Sequence, residues 1–145
     1  MLGMRNYTQA YIDGCRVGVD ADLSAYRNLV EGVRSQPARG RTQLDSAVAV
    51  FESTFFNNMV LVLDACFVQR LRTIEGKDGN PLNEVRLLCT AMLHNHSIMG
   101  ADTSIKLSPA MSVLKHQVGD EIKLSEADFV ALSAAFFAEI ERGYL

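Results

Sequence analysis

The chain has 145 residues, 48 % hydrophobic and 21 % charged, a balance that excludes a largely disordered polymer and suits a single helical domain, 1–145, with one core. The formal net charge of −3 gives no general attraction to phosphate backbones or anionic lipid, which disfavours nucleic-acid and membrane partners. The opening segment Met1–Tyr7 lacks the apolar stretch and small-residue cleavage site of a secretory leader, so a cytoplasmic location is expected. Cys15, Cys66 and Cys89 form no Cys-x-x-Cys pair and lie within helical patterns, which predicts reduced thiols acting as small hydrophobes.

The first element is an apolar stripe through Tyr11, Cys15, Val19, Leu23, Tyr26, Val30 and Val33, in steps of three and four. Gly14 and Gly18 weaken this helix and predict a break or bend near Asp20. Pro37 and Gly40 end it, leaving 35–41 as a loop. Thr42 then serves as the expected N-cap of a long helix, with Asp45 completing the Ser/Thr-x-x-Asp/Glu arrangement. Leu44, Ala47, Val48, Phe51, Phe55, Met59, Val62, Cys66 and Gln69 define one face, and nothing interrupts the helix before Gly76. Arg70 and Arg72 are then read as last-turn cations complementing the helix dipole.

After the turn 76–79, Asn80 followed by Pro81 marks a third helix carrying Leu82, Val85, Leu88, Cys89 and Met92 and fading near His96 or Ser97. The connection beyond it repeats Ile-Lys-Leu-Ser at 105–108 and 122–125. Apolar residues two apart predict a small two-stranded β-ribbon before the last helix. That helix opens on Ser125 with Asp128 at the third position, turns Phe129, Leu132, Phe136 and Ile140 inward, and closes at Gly143. The expected fold is a mainly α, antiparallel four-helix bundle-like domain with this ribbon attached.

Chemistry-bearing motifs are scarce. His94, His96 and His116 belong to no Glu-x-x-His or His-Glu-x-x-His motif, so no metal site is assigned. No nucleophile elbow, phosphate loop or catalytic cysteine frame is present, which leaves enzyme status open and assigns no cofactor. Asp78, Asn80 and Glu84 do not match the spacing of a calcium loop and are read as turn chemistry. Arg39 and Arg41, preceding the helix start at Thr42, form a candidate anion site, because free amides at a helix N-terminus can hold a phosphate.

The segment Lys77-Asp78-Gly79-Asn80-Pro81-Leu82-Asn83-Glu84-Val85-Arg86, followed by Val118-Gly119-Asp120-Glu121-Ile122, resembles small uncharacterised helical proteins of actinobacterial type. The resemblance covers about the C-terminal two thirds and implies no activity.

The most unusual stretch runs from Phe55 to Val68, where apolar residues cover nearly the whole helix circumference. Such a helix must be buried on several sides. Asn57, Asn58 and Asp64 interrupt it and leave no run of about 18 apolar residues, which argues against a membrane span. Two readings follow: a central helix within one chain, or a homodimer interface formed by Phe55, Phe56, Met59, Val60, Leu63 and Phe67, with the polar interruptions fixing register. The expected function is accordingly a homodimeric interaction or regulatory protein. The alternative is a small-molecule or anion-binding protein, or an enzyme, with a polar pocket at one bundle end.

Overall fold

The computed structural model describes residues 3–145. Helix α1, Gln9–Arg34, starts where the Thr8 hydroxyl accepts a hydrogen bond from the Tyr11 amide at 3.1 Å. It runs unbroken past Asp20. Gly14 and Gly18 sit where an added Cβ would meet open space, so their cost, up to about 1 kcal/mol each, falls on an exposed face. Burial of Ile12, Val19, Leu23 and Tyr26 on the opposite face outweighs it.

Helix α2 spans Thr42–Cys66. Its N-cap is Arg41, and Thr42, expected to cap, is the first helical residue and makes no capping bond. The helix also stops ten residues before Gly76. The chain turns through 67–70 and forms a short helix α3, Arg72–Glu75, before Gly76 takes a left-handed φ of 76°. Arg70 forces this ending. Its guanidinium folds back to bond the Phe67 and Leu82 carbonyls, Asp64 and Glu75, and a continuous helix could not serve these partners together.

Helix α4, Pro81–His94, begins as predicted, with the Asn80 side chain accepting from the amides of Leu82 and Asn83. Helix α5, Glu126–Tyr144, opens on a reciprocal capping box between Ser125 and Asp128 and continues through Gly143. The four long helices alternate in direction. α2 packs against α1, α4 and α5, and α5 packs against α1 and α4. Their shared core holds Phe56, Val60, Leu63, Phe67, Val85, Leu88, Phe129, Leu132, Phe136 and Ile140.

The predicted β-ribbon is absent among the described residues. The two Ile-Lys-Leu-Ser copies do not pair with each other. Lys106 makes an isolated parallel bridge with Asp78, and Glu121 an antiparallel one with Ile98. The alternation reflects one-sided burial, with Ile105, Ile122 and Leu124 sinking into the helical core. In place of a second strand, the Asn57 side chain of α2 donates to the Ile122 carbonyl at 2.8 Å and accepts from the Leu124 amide at 3.1 Å.

Candidate functional site

Near the N-terminus of α5, Glu126 joins both neighbouring helices: Arg27 of α1 pairs with its carboxylate, and Glu52 of α2 accepts from its amide. Beyond this level α1 and α2 continue as a two-helix arm. Residues 42–47 and 49–51 are all exposed, as are 27–29. The two helices bury only each other here, through Tyr26, Val30, Val33 and Val48.

Aromatic rings form the base of the arm. Tyr26 stacks on Phe55 with ring centres 5.5 Å apart and meets Phe56 edge-on at 4.7 Å, and Phe51 stacks on Phe55 at 5.5 Å. Burial, with Glu52 beside it, pushes the Tyr26 hydroxyl up to about 12, so the ring stays neutral. Phe51 is nevertheless 41 % exposed, with Leu44 at 46 % and Val50 at 71 %.

A seven-residue repeat, Leu44, Phe51, Asn58 and Ala65, lies along the outer side of α2, with Ala47 and Val62 beside it; all six are exposed. This spacing keeps side chains on one helical stripe suited to a partner helix. By length and composition α2 is apolar enough to cross a membrane, yet only 22 % of its most apolar 18-residue window is buried.

Five of the six residues expected to form an interface face the other way. Phe56, Met59, Val60, Leu63 and Phe67 are buried within the chain, and Phe55 alone is half-exposed. The apolar circumference is real, but α4 and α5 take the side on which these five lie. Two of the expected polar interruptions are also used internally: Asn57 by the 122–124 segment and Asp64 by Arg70 at 2.8 Å. Asn58 alone of the three sits on the outward repeat.

The expected anion site is not assembled. Arg41 donates to the carbonyls of Arg34 and Gln36 at 3.0 and 3.2 Å and approaches the Asp45 carboxylate at 3.3 Å. It thereby caps the C-terminus of α1, and Asp45 places negative charge where an anion would bind. Arg39 is exposed in the turn at the tip of the arm.

A buried ionic cluster at the opposite end of the molecule was not legible as such. Arg70 and Glu75 side chains are fully buried and paired at 3.2 Å; Arg86 reaches Glu75 at 2.7 Å. Burial alone would raise the Glu75 carboxyl, but bonds from Arg86 and the charge of Arg70 outweigh it and hold the group below its ordinary value. Arg70 also lies over the Phe136 ring, 5.6 Å from its centre. The available signal was the Arg-x-Arg-x-x-Glu run directly after an apolar helix, a charge density that two exposed dipole contacts do not require.

Beside α4, Leu87, Met99, Asp102, Ile105, His116 and Gln117 line a groove of about 420 Å³. One oxygen of the Asp102 carboxylate, Oδ1, accepts from the Ser104 amide and hydroxyl and from the Ile105 amide, and His116 Nδ1 is buried without a partner. His94 closes α4, and His96 lies two residues on with a positive φ. Among the described residues, no three His, Cys, Asp or Glu side chains are placed to hold a metal.

The chain is thus a mainly helical protein whose most apolar helix is left uncovered along one side. Comparison with family models, curated proteins and solved structures gives no match for it.

Proposed function

We propose that this is an interaction protein that pairs with a second copy of itself through the α1–α2 arm and the outer stripe of α2. The observation carrying this reading is the 22 % burial of the apolar window of α2, on a helix whose inward face is already fully used. Two arms laid side by side would bury Leu44, Ala47, Phe51 and Val62 and supply the other half of a four-helix packing.

A second copy fits better than lipid for two reasons. The repeat is a stripe, narrower than the broad face that a membrane surface favours, and it contains Asn58, which can pair with its own counterpart and set register. A membrane span would also have to withdraw Asn57 and Asp64 from their bonded partners in the core, leaving polar groups unpaired in hydrocarbon. Ligand binding in the groove beside α4 stands second, because three local bonds already occupy Asp102 Oδ1 and the unpartnered His116 Nδ1 is buried.

Light scattering during size-exclusion chromatography at micromolar concentration should give twice the 16.0 kDa chain mass. Leu44→Glu with Phe51→Glu should yield a folded monomer with an unchanged helical spectrum. A wild-type monomer mass overturns self-pairing, and recovery of that monomer with floated vesicles would assign the stripe to lipid.

A further inference from the structure

Tyr11 and Cys15 stand one turn apart on the same face of α1, and the Tyr11 hydroxyl donates to the backbone carbonyl of Cys66 at the end of α2. That bond holds the two helices together at the height of both cysteines. Cys15 and Cys66 are each half-buried against the core, and each thiol has the other for a neighbour. Cys89 offers the contrast: it is buried in α4, its thiol points to the Val60 carbonyl at 3.7 Å, and burial pushes it up to about 12.

We propose that Cys15 and Cys66 are an oxidative cross-linking site, closing to an intrachain disulfide that staples α1 to α2 when a small-molecule disulfide is supplied. In the first step the thiolate of one cysteine attacks the small disulfide, forming a mixed disulfide and expelling one thiolate. The other cysteine, deprotonated, attacks the protein sulfur of that mixed disulfide and expels the second thiolate. The protein thus loses two protons and two electrons, and the oxidant takes up both electrons and leaves as two thiols.

Access is provided beside Cys66. A cavity of about 430 Å³, lined by Met4, Tyr7, Thr8, Tyr11, Cys66 and Gln69, opens onto the surface and leaves room for a peptide thiol in the mixed disulfide. Burial and the neighbouring Cys15 push the Cys66 thiol up to about 11. Closure is therefore slow at neutral pH, and mildly alkaline buffer is the condition in which to observe it. The cross-link would hold the end of α1–α2 remote from the arm tip, leaving Leu44 and Phe51 free.

The test uses the native full-length chain with excess oxidised glutathione at pH 8.5, followed by thiol titration in denaturant and peptide mapping. Three free thiols should fall to one, the survivor being Cys89, with an intact mass about 2 Da lower and a Cys15–Cys66 linked peptide. Cys15→Ser should instead stop at a glutathione adduct on Cys66. The proposal is overturned by three unreacted thiols, by glutathione adducts on the wild type without a link, or by a link between chains. None of these outcomes depends on whether the arm pairs, because the closed form is identified within one chain whether that chain is monomeric or dimeric.

Discussion

Glu75 carries three arginines on one carboxylate, Arg70, Arg86 and, more loosely at 3.7 Å, the exposed Arg72, and its position makes that arrangement unforgiving. With Arg70 and Glu75 both out of water, removing one partner leaves the other charge buried and under-compensated, a loss of about 3 kcal/mol or more. Glu75→Gln should therefore lower the urea midpoint substantially, while Glu139→Gln, whose half-buried carboxylate meets a solvated Arg142, should change it little. The pH dependence has a definite sign. The Glu75 carboxyl is held below its ordinary value in the folded state, so its contribution is present above the unfolded pKa near 4.3 and is lost as pH falls through the lower folded value. Urea titrations between pH 3 and 7 should show this acid-side loss in the wild type, and a smaller one in Glu75→Gln.

At the scale of elements, Asn57 takes the place that a β-strand would otherwise fill. Its amide satisfies one carbonyl and one N–H of the 122–124 segment, whose Ile122 and Leu124 side chains are almost fully buried. Asn57→Ala would strand both backbone groups in a partly buried site, at about 2 kcal/mol. Hydrogen exchange should then show the Leu124 amide losing protection more than the amides in the middle of α5. Equal loss throughout α5 would mean that the segment and the helix open together.

The same contrast explains what the sequence disclosed. Asn80-Pro81 and Ser125-x-x-Asp128 are local devices whose partners lie within three residues, and both helix starts are where those residues place them. The end of α2 depends on Arg70 reaching Leu82 and Glu75, partners across a turn that no helical period reveals. The repeated Ile-Lys-Leu-Ser showed alternation correctly, but alternation records which side is buried and not whether another strand is present to pair. The outward stripe was hidden for a related reason: Phe55 to Val68 is apolar around its circumference, so the pattern could not assign its buried and free sides. The structure assigns them through the positions of α4 and α5.

For the molecule as a whole, the division into a cross-braced end and a free arm sets where stability resides. The ionic cluster, the contacts of the Tyr7 ring with Phe67 and Tyr144 and the Tyr144 hydroxyl on the Leu71 carbonyl all lie at one end. The arm tip has only the helix–helix seam and the Arg41 cap. In a monomer its amides should exchange first; in the proposed dimer that difference should shrink, because pairing covers the same turns.

The bond from the Tyr7 amide to the Tyr144 carbonyl, at 2.6 Å, makes the path of the chain nearly a closed ring. Its widest excursion from the core is the 35–41 turn at the arm tip, where Ala38, Arg39 and Gly40 are exposed. Topologically the start and the finish are then interchangeable with that turn. A permuted gene joining Leu145 to Gly3 through a short flexible linker and opening between Ala38 and Arg39 should encode the same packed helices, since no core contact spans the new opening. Its circular dichroism spectrum should match that of the parent. Loss of helicity would show that the covalent α1–α2 hairpin is needed to assemble the core.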